Sequence, residues 1–193
     1  MIAGGAIHVN EGGAERIRAI VDRLHQTDWI GPVFTKDGGI PGTLAFDTVF
    51  WNHDRSADIL TAPNWTDEAN EHGYEGQVMT PGVAGHGSAS PFDIQATFIA
   101  AGPAFKQGIE SSVPSGNIDF APTVLHLLEV PIPERMDGRV LHEVLVDGPD
   151  PGSVQVTLQA HDVTSEDGGY RQALYVSRVD GTQYVGFSLV KRE

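Results

Sequence analysis

The sequence predicts a mixed α/β (α+β) fold, and three observations carry that expectation. An amphipathic helical repeat follows a short apolar strand near the N-terminus, β-prone apolar runs recur through the middle of the chain, and the C-terminal stretch alternates as strands around Asp180-Gly181. Residues 2–9 suit a strand. Asn10 is placed as an N-cap, with Glu11 and Glu15 complementing the positive end of a helix whose Ala14, Ile17, Ile20, Val21 and Leu24 share one face. Asp28-Trp29-Ile30-Gly31-Pro32 ends that helix. Strand resumes at Val33-Phe34-Thr35, and after the Lys36-Asp37-Gly38-Gly39 turn further strands are expected over 43–50 and 57–61.

Residues 62–91 form a long polar stretch punctuated by Gly and Pro, of a length that in ordered proteins is usually functional. A buried strand is expected over 96–101. Asn117-Ile118-Asp119 introduces a helix to about Glu129, with Asp119 as N-cap and Pro122 in the first turn, where its missing N–H costs nothing. Asp147-Gly148-Pro149-Asp150-Pro151-Gly152 marks a boundary, and strands are expected over 153–160, 170–178 and 183–190. Asp180-Gly181 is a strong two-residue hairpin signal. The expected organisation is a small α+β lobe with its linking loop over 1–80, a core segment over 81–147, and the C-terminal β-strands of the same core, including an antiparallel hairpin, over 148–193.

The 193 residues carry 12 Lys+Arg against 26 Asp+Glu, a net charge of −14. Affinity for a nucleic-acid backbone or an anionic membrane surface comes mainly from Lys and Arg, so both partners are disfavoured. No apolar run is long enough to span a bilayer, and the N-terminus lacks the basic and apolar regions of a signal peptide, which reads as a soluble chain of unassigned compartment. With no cysteine, disulfides, thiolate metal sites and cysteine nucleophiles are all excluded. The 23 Gly and 12 Pro point to abundant turns.

Eight histidines invite a search for metal ligands, but no HExxH, HxH or HxxxH pair occurs. His53, Asp54 and Asp58 could bind a cation, or form a loop in which Arg55 pairs with a carboxylate. His72 sits in a polar loop and is a weaker candidate for the same reason. His86 is distinctive, because glycines flank it in Gly85-His86-Gly87-Ser88 and permit close approach of a ligand. Spacing alone leaves it between a metal ligand and a structural histidine. GxSxG and Walker A signatures are absent.

Residues 81–145 resemble the C-terminal part of the catalytic domain of the alkaline phosphatase superfamily. The closest branch is the type I phosphodiesterases and nucleotide pyrophosphatases, and sulfatases share some of the pattern. The resemblance is carried by Gly85-His86-Gly87-Ser88, Pro91-Phe92-Asp93-Ile94 and Ala96-Thr97-Phe98-Ile99-Ala100-Ala101-Gly102-Pro103-Ala104-Phe105-Lys106. It continues in Asn117-Ile118-Asp119-Phe120-Ala121-Pro122-Thr123-Val124-Leu125 and Pro133-Glu134-Arg135-Met136-Asp137-Gly138-Arg139.

The resemblance implies hydrolysis of a phosphoric or sulfuric ester by two divalent metals, usually zinc, with a Thr or Ser nucleophile forming a covalent intermediate. Only His86 has a counterpart, the late histidine of one metal's ligand set. The family's nucleophile, its Asp-His-Gly block and its other ligands have no match in residues 1–80. The chain therefore resembles the C-terminal portion of such an enzyme and is expected to be inactive alone, with zinc absent or weakly held. The resemblance admits export of a complete enzyme. A non-catalytic binding or interaction module derived from the same fold is the alternative. The missing half would leave core surface uncovered, so a homo-oligomer that covers it is an expected partner arrangement.

Overall fold

The computed structural model describes residues 5–11, 13–79 and 86–193. The start of the expected strand 2–9, the 80/81 boundary and the approach to His86 through 81–85 lie outside the described residues. Helices and strands are mixed, as expected of an α/β fold. The chain divides into two compact units: Met1–Ala96 with Ala160–Tyr175 and Val185–Glu193, and Thr97–Gln159 with Val176–Tyr184.

The first unit is built on a four-stranded sheet of β1 (Gly5–Ile7), β2 (Ile30–Thr35), β3 (Leu44–Ala45) and β4 (Ile59–Pro63), in the order β1-β4-β2-β3. β4 runs antiparallel to both β1 and β2, while β3 is parallel to β2. Helix α1 (Gly13–His25) turns Val21 into the core against Ile30, Val33 and Ile59, with Ile17, Ile20 and Leu24 packed around it. This is the apolar face expected from the sequence, except that Ala14 is exposed. The helix begins at Gly13, so Asn10 lies outside it and is not its cap.

One expected strand is much shorter than the apolar pattern suggested. Of 43–50, only Leu44–Ala45 pairs, and Phe46–Val49 winds into a 3-10 turn closed by Phe50 in the left-handed region at φ 56°. Phe46 and Val49 are both buried by that turn, which satisfies their hydrophobicity without a strand. A polar side chain repairs the irregularity in β2, whose register against β4 shifts between Ile30 and Val33. Gln172 accepts the Val33 N–H at 2.9 Å and donates to the carbonyls of Val33 (2.7 Å) and Gly42 (2.9 Å). The buried Tyr170 hydroxyl donates to the Gly31 carbonyl at 2.9 Å. These bonds do the work of a missing ladder neighbour.

Both residues come from a three-stranded sheet of β7 (Thr157–Thr164), β8 (Tyr170–Val179) and β9 (Thr182–Arg192), in that order. The β8–β9 connection is the expected Asp180-Gly181 hairpin. Both residues have positive φ, 48° and 85°, the twist that suits a two-residue hairpin turn. The expected strand 153–160 starts later, at Thr157, because Pro151–Ser153 is a 3-10 turn capped by the Asp150 carboxylate.

The second unit has little regular structure besides α3 (Phe120–Leu127) and the hairpin tip. The expected strand over 96–101 does not form. The segment is exposed and pairs with no strand among the described residues. An apolar run becomes a strand only where a neighbour offers ladder hydrogen bonds, and none does here. Asp119 stands at the N-cap position of α3, but its side chain makes no cap bond and is turned inward. Lys106 donates its ammonium to the carbonyls of Glu143 (3.0 Å), Gly148 (3.1 Å) and Pro149.

Candidate functional site

The segment presenting His86 is held from its C-terminal side. The Ser188 N–H of β9 donates to the Ala89 carbonyl at 2.9 Å, and Ser88, Ala89 and Ser90 are buried. Ser90 caps the short helix α2 (Pro91–Ile94) by accepting from the Phe92 N–H, and the Asp93 carboxylate accepts the Ser88 N–H at 2.6 Å. Trp65 in β5 (Trp65–Thr66), which pairs with β6 (Gln77–Val78), donates its indole N–H to the Ser188 carbonyl at 2.7 Å and meets the Phe92 ring edge-on. Gly87, at φ 77°, makes the turn between this anchored stretch and His86, which is exposed. His86 is thus an exposed residue just before a firmly anchored strip of chain. That strip pairs with β9 at Ala89 and does not lead into a strand over 96–101, since that strand is not formed.

The weaker candidates do not join it. His72 is exposed, 3.7 Å from the Glu71 carboxylate, in the loop between β5 and β6. His53 accepts the Arg55 N–H on Nδ1 at 3.1 Å and lies edge-on to Trp51. Asp54 is exposed, whereas Asp58 accepts the Val9 N–H at 2.7 Å and so tethers the end of β1. The expected pairing of Arg55 with Asp54 or Asp58 is not among the ion pairs of the described residues. No group of three or more His, Asp or Glu side chains able to hold a metal occurs among the described residues. A zinc site needs about three protein donors, so His86 and its described surroundings do not amount to one.

The most elaborate polar cluster is one that the sequence reading did not identify. In the second unit the Arg139 guanidinium grips Glu143 with two bonds, of 2.8 and 2.6 Å, and donates from Nε to the Tyr184 hydroxyl at 3.0 Å. Tyr184 in turn donates to Asp119 Oδ2 at 2.9 Å, and Asp119 also accepts the N–H groups of Gly116 and Arg139, each at 2.8 Å. All four side chains are buried. Burial by itself opposes charge on Arg139 and Glu143, but their mutual hydrogen bonds and attraction outweigh it. The guanidinium is held more firmly protonated than usual, and the Glu143 carboxyl lies below the ordinary range. Burial, reinforced by the Asp119 carboxylate, raises the Tyr184 phenol.

Gly138 lets this hub close, since a Cβ there would come within 2.1 Å of the Ile118 carbonyl oxygen. Asp119, Gly138 and Arg139, which carry part of the family resemblance, thus lie at or beside a buried scaffold. The i,i+4 spacing of Arg139 and Glu143 is legible in sequence, but the burial that makes it matter is not.

The first unit holds a second polar feature, an open cleft of about 630 Å³ whose lining includes Asp22, His25, Asp28, Asp167, Tyr170 and Arg192. His25 is buried and stacked on Tyr170, with ring centroids 4.1 Å apart. Burial pushes its imidazole below the usual pKa, with Arg192 acting in the same direction and Asp22 against it. Arg192 donates to the carbonyls of His25 (2.8 Å) and Ile30 (2.5 Å), closing the C-terminal end of α1.

Over 77 residues, 39% of its length, the chain is 36% identical to an extracellular sulfatase Sulf-1 homolog of Caenorhabditis elegans. It covers 11% of that protein, so it spans about a tenth of the curated relative's length. No family model matches the chain. No solved structure matches it. The likeness supports a sulfatase-like relationship and does not reach the nucleotide pyrophosphatase branch. No helix among the described residues is long and apolar enough to cross a membrane.

Proposed function

We propose that this chain is the C-terminal portion of an exported, sulfatase-like hydrolase of sulfuric or phosphoric esters, inactive on its own. The observation that carries this reading is the 36% identity to an extracellular sulfatase homolog. The ordered sequence blocks from His86 to Arg139 support it. In this reading His86 is one ligand of a zinc ion, and the remaining ligands and the Thr or Ser nucleophile come from polypeptide not represented here. The described residues do not assemble a metal site by themselves, so no reaction step is assigned to them. Their role is to anchor the stretch that follows His86, with Gly87 at a positive φ between the two. A sulfate monoester is the favoured substrate class; the phosphodiester preference of the pyrophosphatase branch is the finer alternative.

The coding sequence upstream of Met1 tests the reading. A continuous frame supplying a Thr or Ser nucleophile and further Asp and His ligands is expected. The joined polypeptide is then expected to hydrolyse p-nitrophenyl sulfate in a metal-dependent manner, with loss of activity in His86→Ala. Preference for bis-p-nitrophenyl phosphate would move the assignment to the phosphodiesterase branch. Metal-dependent turnover by the 193-residue chain alone, lost in His86→Ala, would overturn the partial-enzyme reading. The lack of three convergent donors among the described residues favours a second reading, a non-catalytic module of this fold. It predicts no complementing upstream frame.

A further inference from the structure

The pattern Asn-X-Ser/Thr, with X other than Pro, occurs once in the 193 residues, as Asn64-Trp65-Thr66, at one of five asparagines. This is the spacing of an N-glycosylation acceptor, in which the hydroxyl two residues on assists the asparagine amide as a nucleophile. So short a pattern also arises by chance, and the surroundings of Asn64 are what give it weight.

Asn64 joins β4 to β5 in the first unit, and its backbone is held on both sides. Its N–H donates to the Trp29 carbonyl at 2.8 Å, and its own carbonyl accepts the Met79 N–H at 2.7 Å. The residue is half-buried, and Nδ2 spends one N–H on the Asp28 carbonyl, 3.1 Å away in an exposed contact. A side-chain amide carries two N–H groups, so one remains for substitution while that bond is kept. The two residues that receive these bonds, Asp28 and Trp29, are both exposed, the indole at 56%. An exposed indole offers a flat apolar face on which the C–H face of a pyranose can rest. The order of synthesis also leaves the acceptor open. Trp65 is fastened by its indole N–H to the Ser188 carbonyl at 2.7 Å, a partner 123 residues further along the chain. Until β9 has been added, that bond cannot form and the tripeptide is free to be read in an extended conformation.

We propose that Asn64 is an N-glycosylation site, modified before the first unit closes, and that the first sugar of its glycan lies over Trp29. The donor is an oligosaccharide carried on a lipid pyrophosphate. Asn64 Nδ2 forms a bond to the anomeric carbon, the bond from that carbon to the pyrophosphate oxygen breaks, the lipid pyrophosphate leaves with the electron pair, and the amide gives up one proton to the medium. The proposal rests on the export in the reading above and on no other part of it, since ester hydrolysis is not involved.

The full chain, translated behind a secretory leader in the presence of microsomal membranes, is expected to show one discrete upward shift on a gel. The shift should be absent without membranes and reversed by peptide-N-glycosidase. It should be lost in Asn64→Gln and in Thr66→Ala and kept in Thr66→Ser, which retains the hydroxyl. Transfer acts on the extended chain, so these variants report on the site whether or not they fold. A chain that enters the membranes, as shown by protection from added protease, yet stays unshifted overturns the proposal. A shift that survives both Asn64→Gln and Thr66→Ala overturns it equally. For the position of the sugar, acrylamide quenching of tryptophan fluorescence should be weaker in the secreted glycoprotein than in secreted Asn64→Gln, and Trp29→Phe should erase that difference while keeping the gel shift. Equal quenching with and without the glycan overturns the contact with Trp29. The leader supplies the compartment, so an unshifted band counts against the site alone. A joined natural polypeptide retained inside its cell, with the shift intact in this assay, counts against the export reading alone.

Discussion

The two units solve the same problem with different chemistry. The first buries an apolar cluster of Val21, Ile30, Val33 and Ile59 between helix and sheet, and mends the register shift in β2 with the neutral groups of Gln172 and Tyr170. The second has a smaller buried cluster of Val113, Val179 and Tyr184, and places Asp119, Arg139 and Glu143 at its centre. A unit rich in ladder bonds can afford neutral repairs. A unit whose longest helix is the eight-residue α3 relies on a directional charge network to fix where its loops converge. The cost is vulnerability, since one lost partner strands a buried charge.

The sharpest way to break this contrast is Arg139→Met. It leaves Glu143 buried without its guanidinium and removes a donor to Tyr184, and should destabilise the second unit by about 3–5 kcal/mol in urea unfolding. The double variant Arg139→Met, Glu143→Leu should recover much of that loss. A single variant costing under about 1 kcal/mol would show that the network carries little. Gln172→Leu is the matching change in the first unit. It leaves the Val33 N–H and two carbonyls without their partner, and about 2–3 kcal/mol is expected from denaturant midpoints, with amide exchange accelerated at Val33.

Acid separates the units further. The folded pKa of His25 lies below its ordinary 6.5, so below that pH the unfolded chain binds a proton more readily than the folded chain does. Stability should therefore fall as pH drops beneath about 6.5, by at most about 1.4 kcal/mol per pH unit, and be flat above it as far as this group is concerned. Glu143 is also depressed, from 4.5, but as an acid: its contribution is intact above that value and is lost as pH falls through its lower folded pKa. The first unit should thus weaken near pH 6 and the second only under stronger acid. Exchange measured residue by residue between pH 7.5 and 3 would show it, and His25→Phe should abolish the first step alone. The smallest expected effect is at the hairpin. Gly181→Ala, at φ 85°, should cost about 1 kcal/mol, read as a drop in melting temperature.

The elements that were legible in sequence are those whose signal is local. The periodicity of α1, the Asp180-Gly181 hairpin and the glycine that turns the chain after His86 all depend on residues within a few positions of one another. The misread elements depended on partners. Residues 43–50 look like a strand because Phe46 and Val49 are apolar, yet a 3-10 turn buries them as well. Segment 96–101 has the composition of a central strand and no neighbour among the described residues. Asp119 precedes a helix as an N-cap should, but the Tyr184 phenol and the backbone N–H groups of Gly116 and Arg139 occupy its carboxylate instead.

By itself, the sequence determined the class of the fold, its charge, the absence of thiol chemistry and the singular setting of His86, because composition and short-range pattern suffice for each. Tertiary structure alone decided that Arg139 and Glu143 are buried together, that Gln172 substitutes for a strand, and that burial lowers the pKa of His25. Each of those outcomes rests on contacts between residues far apart in the chain, or on the loss of water that those contacts bring. A hydrogen bond or a charge acquires its weight only when the surrounding solvent is gone, and no local pattern records where that happens.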